Sequence, residues 1–156
     1  LALGVPTVWL ALLQYVKNAG KRLNKLERTV IGGAAVPESM IREFDQDHGV
    51  EVRQGWGMTE MSPLGSYNRP MEWMRTATQA EQDAHIVRAG RIVFGVEMKI
   101  VDADHHELPW DGVASGLLLV KGPWVISSYY RCDESPTLDA VGWFDTGGLV
   151  AIDEYG

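Results

Sequence analysis

The sequence predicts an α/β chain, in which a βαβ unit with a parallel strand pair is followed by a small, antiparallel, barrel-like β subdomain. Three observations carry this. Two short strand-like segments, residues 26–31 and 50–54, flank a stretch in which Met40, Ile41 and Phe44 share one helical face, and strand, helix and strand in that order pack with the strands parallel. From Arg91 the character changes to runs such as Val96-Glu97-Met98-Lys99-Ile100-Val101-Asp102, which alternate like half-buried strand. Polar or Gly-Pro turns separate these later runs, the pattern of small antiparallel β architectures. The predicted boundary lies near residues 90–92, giving portions 1–90 and 91–156.

In chain order, Thr7 caps a first helix reaching about Asn18, with Pro6 ahead of it and Gly20 as a stop. Leu10, Leu13, Tyr15 and Val16 supply its apolar positions, and Leu3, Val5, Trp9 and Leu12 read mostly as core. Residues 26–31 form a strand, and Gly32-Gly33-Ala34-Ala35 is the loop after it. Pro37 suits the first turn of a second helix, which runs to about His48 with Gly49 as its C-terminal stop. Residues 50–54 form the second strand. Residues 70–85 read either as a helix or as a helix within a long surface excursion. Strands follow at 96–102, 116–121 and 124–130, with a polar turn at 102–107 and a break at Gly122-Pro123.

The densest chemistry is Gln54-Gly55-Trp56-Gly57-Met58-Thr59-Glu60-Met61-Ser62-Pro63. It begins at the carboxyl end of the second strand, where open α/β sheets bind ligands. Gly55 and Gly57 admit close backbone approach. Trp56 offers a flat face to a base, Thr59 a hydroxyl to a phosphate oxygen, and Glu60 a carboxylate to Mg²⁺, which prefers oxygen ligands. Each residue also has a plainer reading. Trp56 alone is a packed turn aromatic, Thr59 and Glu60 suit the start of a helix, and Gly33, Ala34 and Ala35 suit a tight turn set by packing.

This segment resembles the Gly-Tyr/Trp-Gly-x-Thr-Glu motif of the adenylate-forming enzymes, the acyl-CoA synthetase superfamily. Gly142-Trp143-Phe144-Asp145-Thr146-Gly147-Gly148-Leu149-Val150-Ala151-Ile152-Asp153-Glu154-Tyr155-Gly156 resembles that family's Gly-Trp-Phe-x-Thr-Gly-Asp-(x)4-Asp-x-x-Gly motif, and Gly32-Gly33-Ala34-Ala35-Val36-Pro37 its Gly-Gly-Ala-x-x-Pro loop. Order and spacing agree from about Gly4 to Gly156. The resemblance implies ATP or AMP as the bound nucleotide, Mg²⁺ beside its phosphates and coenzyme A as co-substrate. It places Gln54, Gly55, Trp56, Gly57 and Met58 at the nucleotide, with Trp56 stacked on adenine. It puts Thr59 at the α-phosphate, Glu60 on the metal, both as catalytic residues, and Gly33, Ala34 and Ala35 against the adenine and near the acyl group. Val5-Pro6-Thr7 falls near the acyl pocket. Residues 94–102 and 107–112 look most like the medium- and long-chain fatty-acid CoA ligases, and the branch that activates methylmercaptopropionate looks similar. The family's phosphate loop and C-terminal lysine lie outside the matched region, so the chain is expected to be an internal fragment without ligase activity of its own.

Gly148 departs from that pattern. It stands where the family carries an aspartate that accepts hydrogen bonds from both ribose hydroxyls, and hydrogen bonds to a charged group are worth roughly 1.5–3 kcal/mol each. The departure puts nucleotide affinity in question and leaves the fold expectation intact. Two other readings remain open. One is a different adenylating enzyme, such as a peptide-synthetase adenylation domain, which exchange with amino acids in place of fatty acids would favour. The other is a non-catalytic nucleotide-binding protein, which a parent lacking both the phosphate loop and the C-terminal lysine would favour.

The 14 basic and 21 acidic residues leave a net charge of −7, which argues against nucleic acid or an anionic membrane surface as the main partner. No apolar run is long enough to span a bilayer. The single cysteine, Cys132, allows no intrachain disulfide and fits a reducing, cytoplasmic compartment. The His105-His106 pair lacks zinc-like spacing and reads as solvated turn residues.

Overall fold

The computed structural model describes residues 1–132 and 137–156. The chain forms two compact units, Leu1–Gly57 with Ser66–Gly90, and Met58–Gly65 with Arg91–Gly156. The short 58–65 segment thus groups with residues from much later in the chain.

In the first unit, β1 (Ala2–Gly4), β2 (Arg28–Gly32) and β3 (Glu51–Gly57) lie side by side and parallel, with Ala2 opposite Thr29 and Arg28 opposite Glu51. The crossovers are α1 (Pro6–Asn18) and α2 (Glu38–His48). The expected βαβ unit is therefore present, extended by β1, which the sequence reading did not anticipate. Two further differences have local causes. The N-cap of α1 is Val5, without a side-chain cap, because Pro6 takes the first helical position that its fixed φ suits. Leu3 and Val5 are exposed, because β1 turns Ala2 toward the core and Leu3 away from it.

Trp9, Leu13 and Val16 fall one helical turn apart and are all buried, whereas Leu10 and Tyr15 point outward. Trp9 meets Phe44 of α2 edge to face, with ring centroids 5.6 Å apart at 83°. With Ile31, Val36, Met40, Ile41 and Val50, they form the core. Gly49 ends α2 in the left-handed conformation, at φ 68°, as expected of a C-terminal glycine. Residues 70–85 resolve into a 3-10 turn, Glu72–Arg75, and a helix α3, Gln79–Ile86. Thr78 and Glu81 close a reciprocal capping box at the start of α3.

In the second unit, β6 (Glu97–Val101), β7 (Ser115–Lys121) and β8 (Phe144–Ala151) form an antiparallel sheet in that order. Two further short strands among the described residues are β4 (Leu64–Tyr67), whose chain passes from the second unit into the first, and β5 (Arg91–Ile92). The strand expected at 124–130 is an irregular loop. Its backbone groups are satisfied elsewhere: the Val125 N–H donates to Gly122 O at 3.1 Å and the Ile126 N–H to Glu60 O at 2.7 Å.

Candidate functional site

Parallel register decides what shares the carboxyl end of the first unit's sheet. Gly32 pairs with Gly55 at the ends of β2 and β3, so the loops after them leave at the same edge. A Cβ on Gly32 would lie 2.7 Å from Gly55 O, closer than real Cβ atoms come, and glycine is required there. Gly33 has φ 85° and sits against Val5, whose Cγ1 lies 3.2 Å from where a Cβ would be. Gly33, Ala34 and Ala35 are exposed, which gives an open small-residue rim. Trp56 lies within β3, which runs on to Gly57, beyond the strand end expected at 54. Gly55, Trp56 and Gly57 are half-buried.

Gln54 has a definite structural task. It is buried, accepts the Val36 N–H on Oε1 at 3.3 Å and donates from Nε2 to Ile86 O at 3.0 Å. One side chain thereby fixes the loop after β2, the strand β3 and the end of α3. Both ends of its amide are engaged within the protein, so Gln54 acts on the rim by holding it. Asn68, also buried, donates from Nδ2 to His85 O at 2.8 Å and Arg88 O at 2.9 Å.

In the second unit, Thr59 and Glu60 open a 3-10 turn, Thr59–Met61, preceded by Met58 in extended conformation. Met61 is fully buried and anchors the turn, while Thr59 is exposed and Glu60 half-buried. A hydroxyl and a carboxylate next to one another in the chain are hard oxygen donors of the kind Mg²⁺ takes. The sequence reading missed what holds them. Tyr129 OH donates to Glu60 Oε1 at 2.8 Å, across 69 residues of chain, and this bond raises the Tyr129 phenol above its usual pKa. Trp124 Nε1 donates to Leu64 O at 3.1 Å. No local pattern announces a contact of such separation.

Gly148 lies on β8 within a bulge. Leu117 pairs with Leu149 but Leu119 with Asp145, so two residue steps on β7 face four on β8. Thr146 fills the gap by donating from Oγ1 to Leu118 O at 2.9 Å and accepting the Gly148 N–H at 3.1 Å. Gly147 takes the left-handed φ of 67° that such a bulge demands. Asp145 Oδ1 accepts the Gly147 N–H at 2.8 Å. The Thr-Gly-Gly sequence is thus the bulge itself.

Asp102, Asp104 and His106 can bring one ligand atom each within 4.8 Å of the others. The arrangement is explained by the turn. Asp102 Oδ1 accepts the N–H groups of Asp104 at 2.9 Å and His106 at 2.8 Å. Those bonds, the His106 N–H foremost, hold its carboxyl below the usual aspartate pKa. Among the described residues no helix is long and apolar enough to cross a membrane.

Residues 1–130 match the family model described as AMP-binding enzyme. The chain is 47% identical over its full length to 3-methylmercaptopropionyl-CoA ligase from Ruegeria lacuscaerulensis, spanning 29% of that protein. It is 44% identical over its full length to medium-chain-fatty-acid–CoA ligase from Ectopseudomonas oleovorans, spanning 28% of it. The chain therefore covers less than a third of these relatives. Among solved structures, a long-chain-fatty-acid-CoA ligase from Archaeoglobus fulgidus matches with a TM-score of 0.80 at 21% identity, over 99% of this chain and 32% of that one. An anthranilate CoA ligase in complex with anthranoyl-AMP matches with a TM-score of 0.77 at 24% identity, over 99% and 28%.

Proposed function

Because the chain belongs to the AMP-binding enzyme family, we propose that the protein carrying it is an AMP-forming acyl-CoA ligase acting on medium- or long-chain fatty acids. A substrate carboxylate oxygen attacks the α-phosphorus of ATP, and pyrophosphate leaves with the electron pair of the broken P–O bond. The thiolate of coenzyme A then adds to the acyl carbonyl of the adenylate and AMP departs, leaving the thioester.

The observation that carries this reading is local. The glycine-flanked Trp56 stands at the carboxyl end of a parallel strand, opposite a small-residue rim, with Thr59 and Glu60 next in the chain. On this reading Trp56 stacks on adenine, and Gly33, Ala34 and Ala35 leave room for it. Gly55, Gly57 and Met58 lend backbone. Thr59 hydrogen-bonds the α-phosphate, and Glu60 holds Mg²⁺. When bound, the metal neutralises phosphate charge, the usual source of catalysis in such sites. Gly148 faces the ribose without a carboxylate. Residues 1–90 serve as the nucleotide- and acyl-binding portion, and 91–156 as a barrel-like subdomain ending in the ribose motif. On this reading the protein works in the cytoplasm in lipid metabolism.

A second reading has a specific observation in its favour. Two 3-methylmercaptopropionyl-CoA ligases are 47% and 46% identical to the chain, slightly above the 44% of the medium-chain enzyme. Carboxylate-dependent ATP–pyrophosphate exchange on the full-length protein, with a ladder of fatty acids and 3-methylmercaptopropionate, decides between them. Exchange that rises with chain length supports the fatty-acid reading, and exchange confined to the short thioether acid replaces it. Silence with every acid refutes both.

A further inference from the structure

We propose that Tyr129 is a positioning residue that aims the Glu60 carboxylate at the nucleotide-bound cation, an inference that rests on the reading of Glu60 given above. The segment 122–130 is irregular, yet it is tied to the 58–65 segment at three points. Trp124 Nε1 donates to Leu64 O, Ile126 N–H to Glu60 O and Tyr129 OH to Glu60 Oε1. Gly95 is part of the same fit, since a Cβ there would lie 2.8 Å from the Trp124 ring. Glu60 is thus held twice, once by its backbone carbonyl and once by its carboxylate.

The second hold has a chemical consequence. Glu60 sits in a one-turn 3-10 helix and is half-buried, so its own backbone leaves the side-chain torsions free. A carboxylate that must meet a cation beside a phosphate loses that freedom on binding. Tyr129 removes it beforehand by fixing Oε1, so that Glu60 would be pre-oriented to hold the cation. The donor is a neutral hydroxyl, so it orients the carboxylate without cancelling its charge, as a lysine or arginine partner would. The tyrosine ring is 45% exposed, so its hydroxyl is not there to fill a core.

The test uses the full-length protein with Mn²⁺ and ATP. Free Mn²⁺ is read by electron paramagnetic resonance, alongside thermal melting. Tyr129→Phe is expected to weaken Mn²⁺·ATP binding about three- to tenfold, less than the full worth of a charge-assisted hydrogen bond because only the orientation of a part-exposed carboxylate is lost, with melting unchanged. In a Glu60→Gln background the same substitution is expected to have no further effect, since the cycle isolates the pair. Tyr130→Phe, at the exposed neighbour, is expected to do nothing. Equal weakening by Tyr129→Phe in both backgrounds overturns the proposal, and so does loss of folded protein on removing the hydroxyl. If Glu60→Gln weakens binding but Tyr129→Phe does not, the proposal fails while the reading of Glu60 stands. If Glu60→Gln leaves binding intact, the reading of Glu60 itself falls.

Discussion

Replacing Gly148 by aspartate tests the ribose end of the proposed site, and the structure says what the substitution costs. Gly148 is half-buried on β8, and its φ lies outside the left-handed range that would strain a side chain. The new Cβ would meet Thr146 Oγ1 at 3.2 Å, which asks the threonine hydroxyl to give by a few tenths of an ångström. That hydroxyl is itself held by Leu118 O and the Gly148 N–H, so a stability loss of about 1 kcal/mol is expected. On the proposed reading the gain is a carboxylate that accepts both ribose hydroxyls. At the lower end of about 1.5 kcal/mol per bond to a charged group, two bonds give about 3 kcal/mol, or roughly a hundredfold in nucleotide affinity. Titration calorimetry of AMP against the full-length protein and its Gly148→Asp variant measures this. A folded variant that binds AMP less than threefold better, or worse, would refute the reasoning: the bulge would then not present position 148 to a ribose.

Trp56→Ala is expected to lose about 1–3 kcal/mol of nucleotide binding, the scale of a base stacked on an aromatic face, with melting little changed because the ring is only half-buried; unchanged AMP affinity would remove Trp56 from the site. Gln54→Leu deprives the Val36 N–H and Ile86 O of their partner and is expected to cost about 1–3 kcal/mol by chemical denaturation, with faster amide exchange at Val36. Gly32→Ala drives a Cβ into Gly55 O and is expected to destabilise by about 1–3 kcal/mol, read as a lowered denaturation midpoint. Asp102 has a depressed folded-state pKa, so the stability its turn contributes is complete at neutral pH. It is lost only as pH falls below the ordinary aspartate range through the folded value; an NMR titration of its carboxyl at or above the ordinary value would contradict this.

Much of the first unit was legible because its signals are local. The apolar face of α2 and the left-handed glycine after it involve residues within one or two turns of one another. The strand at β1 was hidden by its brevity: three residues beside a helix carry no period of their own. The loop at 124–130 was misread as a strand because its apolar residues suit one. What it lacks is a ladder partner, and the Ile126 N–H goes to Glu60 instead.

Composition and motif order by themselves determined the α/β class and the parallel pair and singled out the candidate site residues, since those depend on residue type and short spacing. The tertiary structure alone decided how these residues are held. Parallel register set Gly32 against Gly55, and the bulge in β8 made Thr146, Gly147 and Gly148 one turn of irregular strand. Folding brought Gln54 to Val36 and Ile86, and Tyr129 to Glu60. The physical reason is the same in each case. A hydrogen bond is satisfied by whichever group the packed backbone brings within about 3 Å, and in a chain whose ends of contact lie 69 residues apart no local preference encodes that meeting.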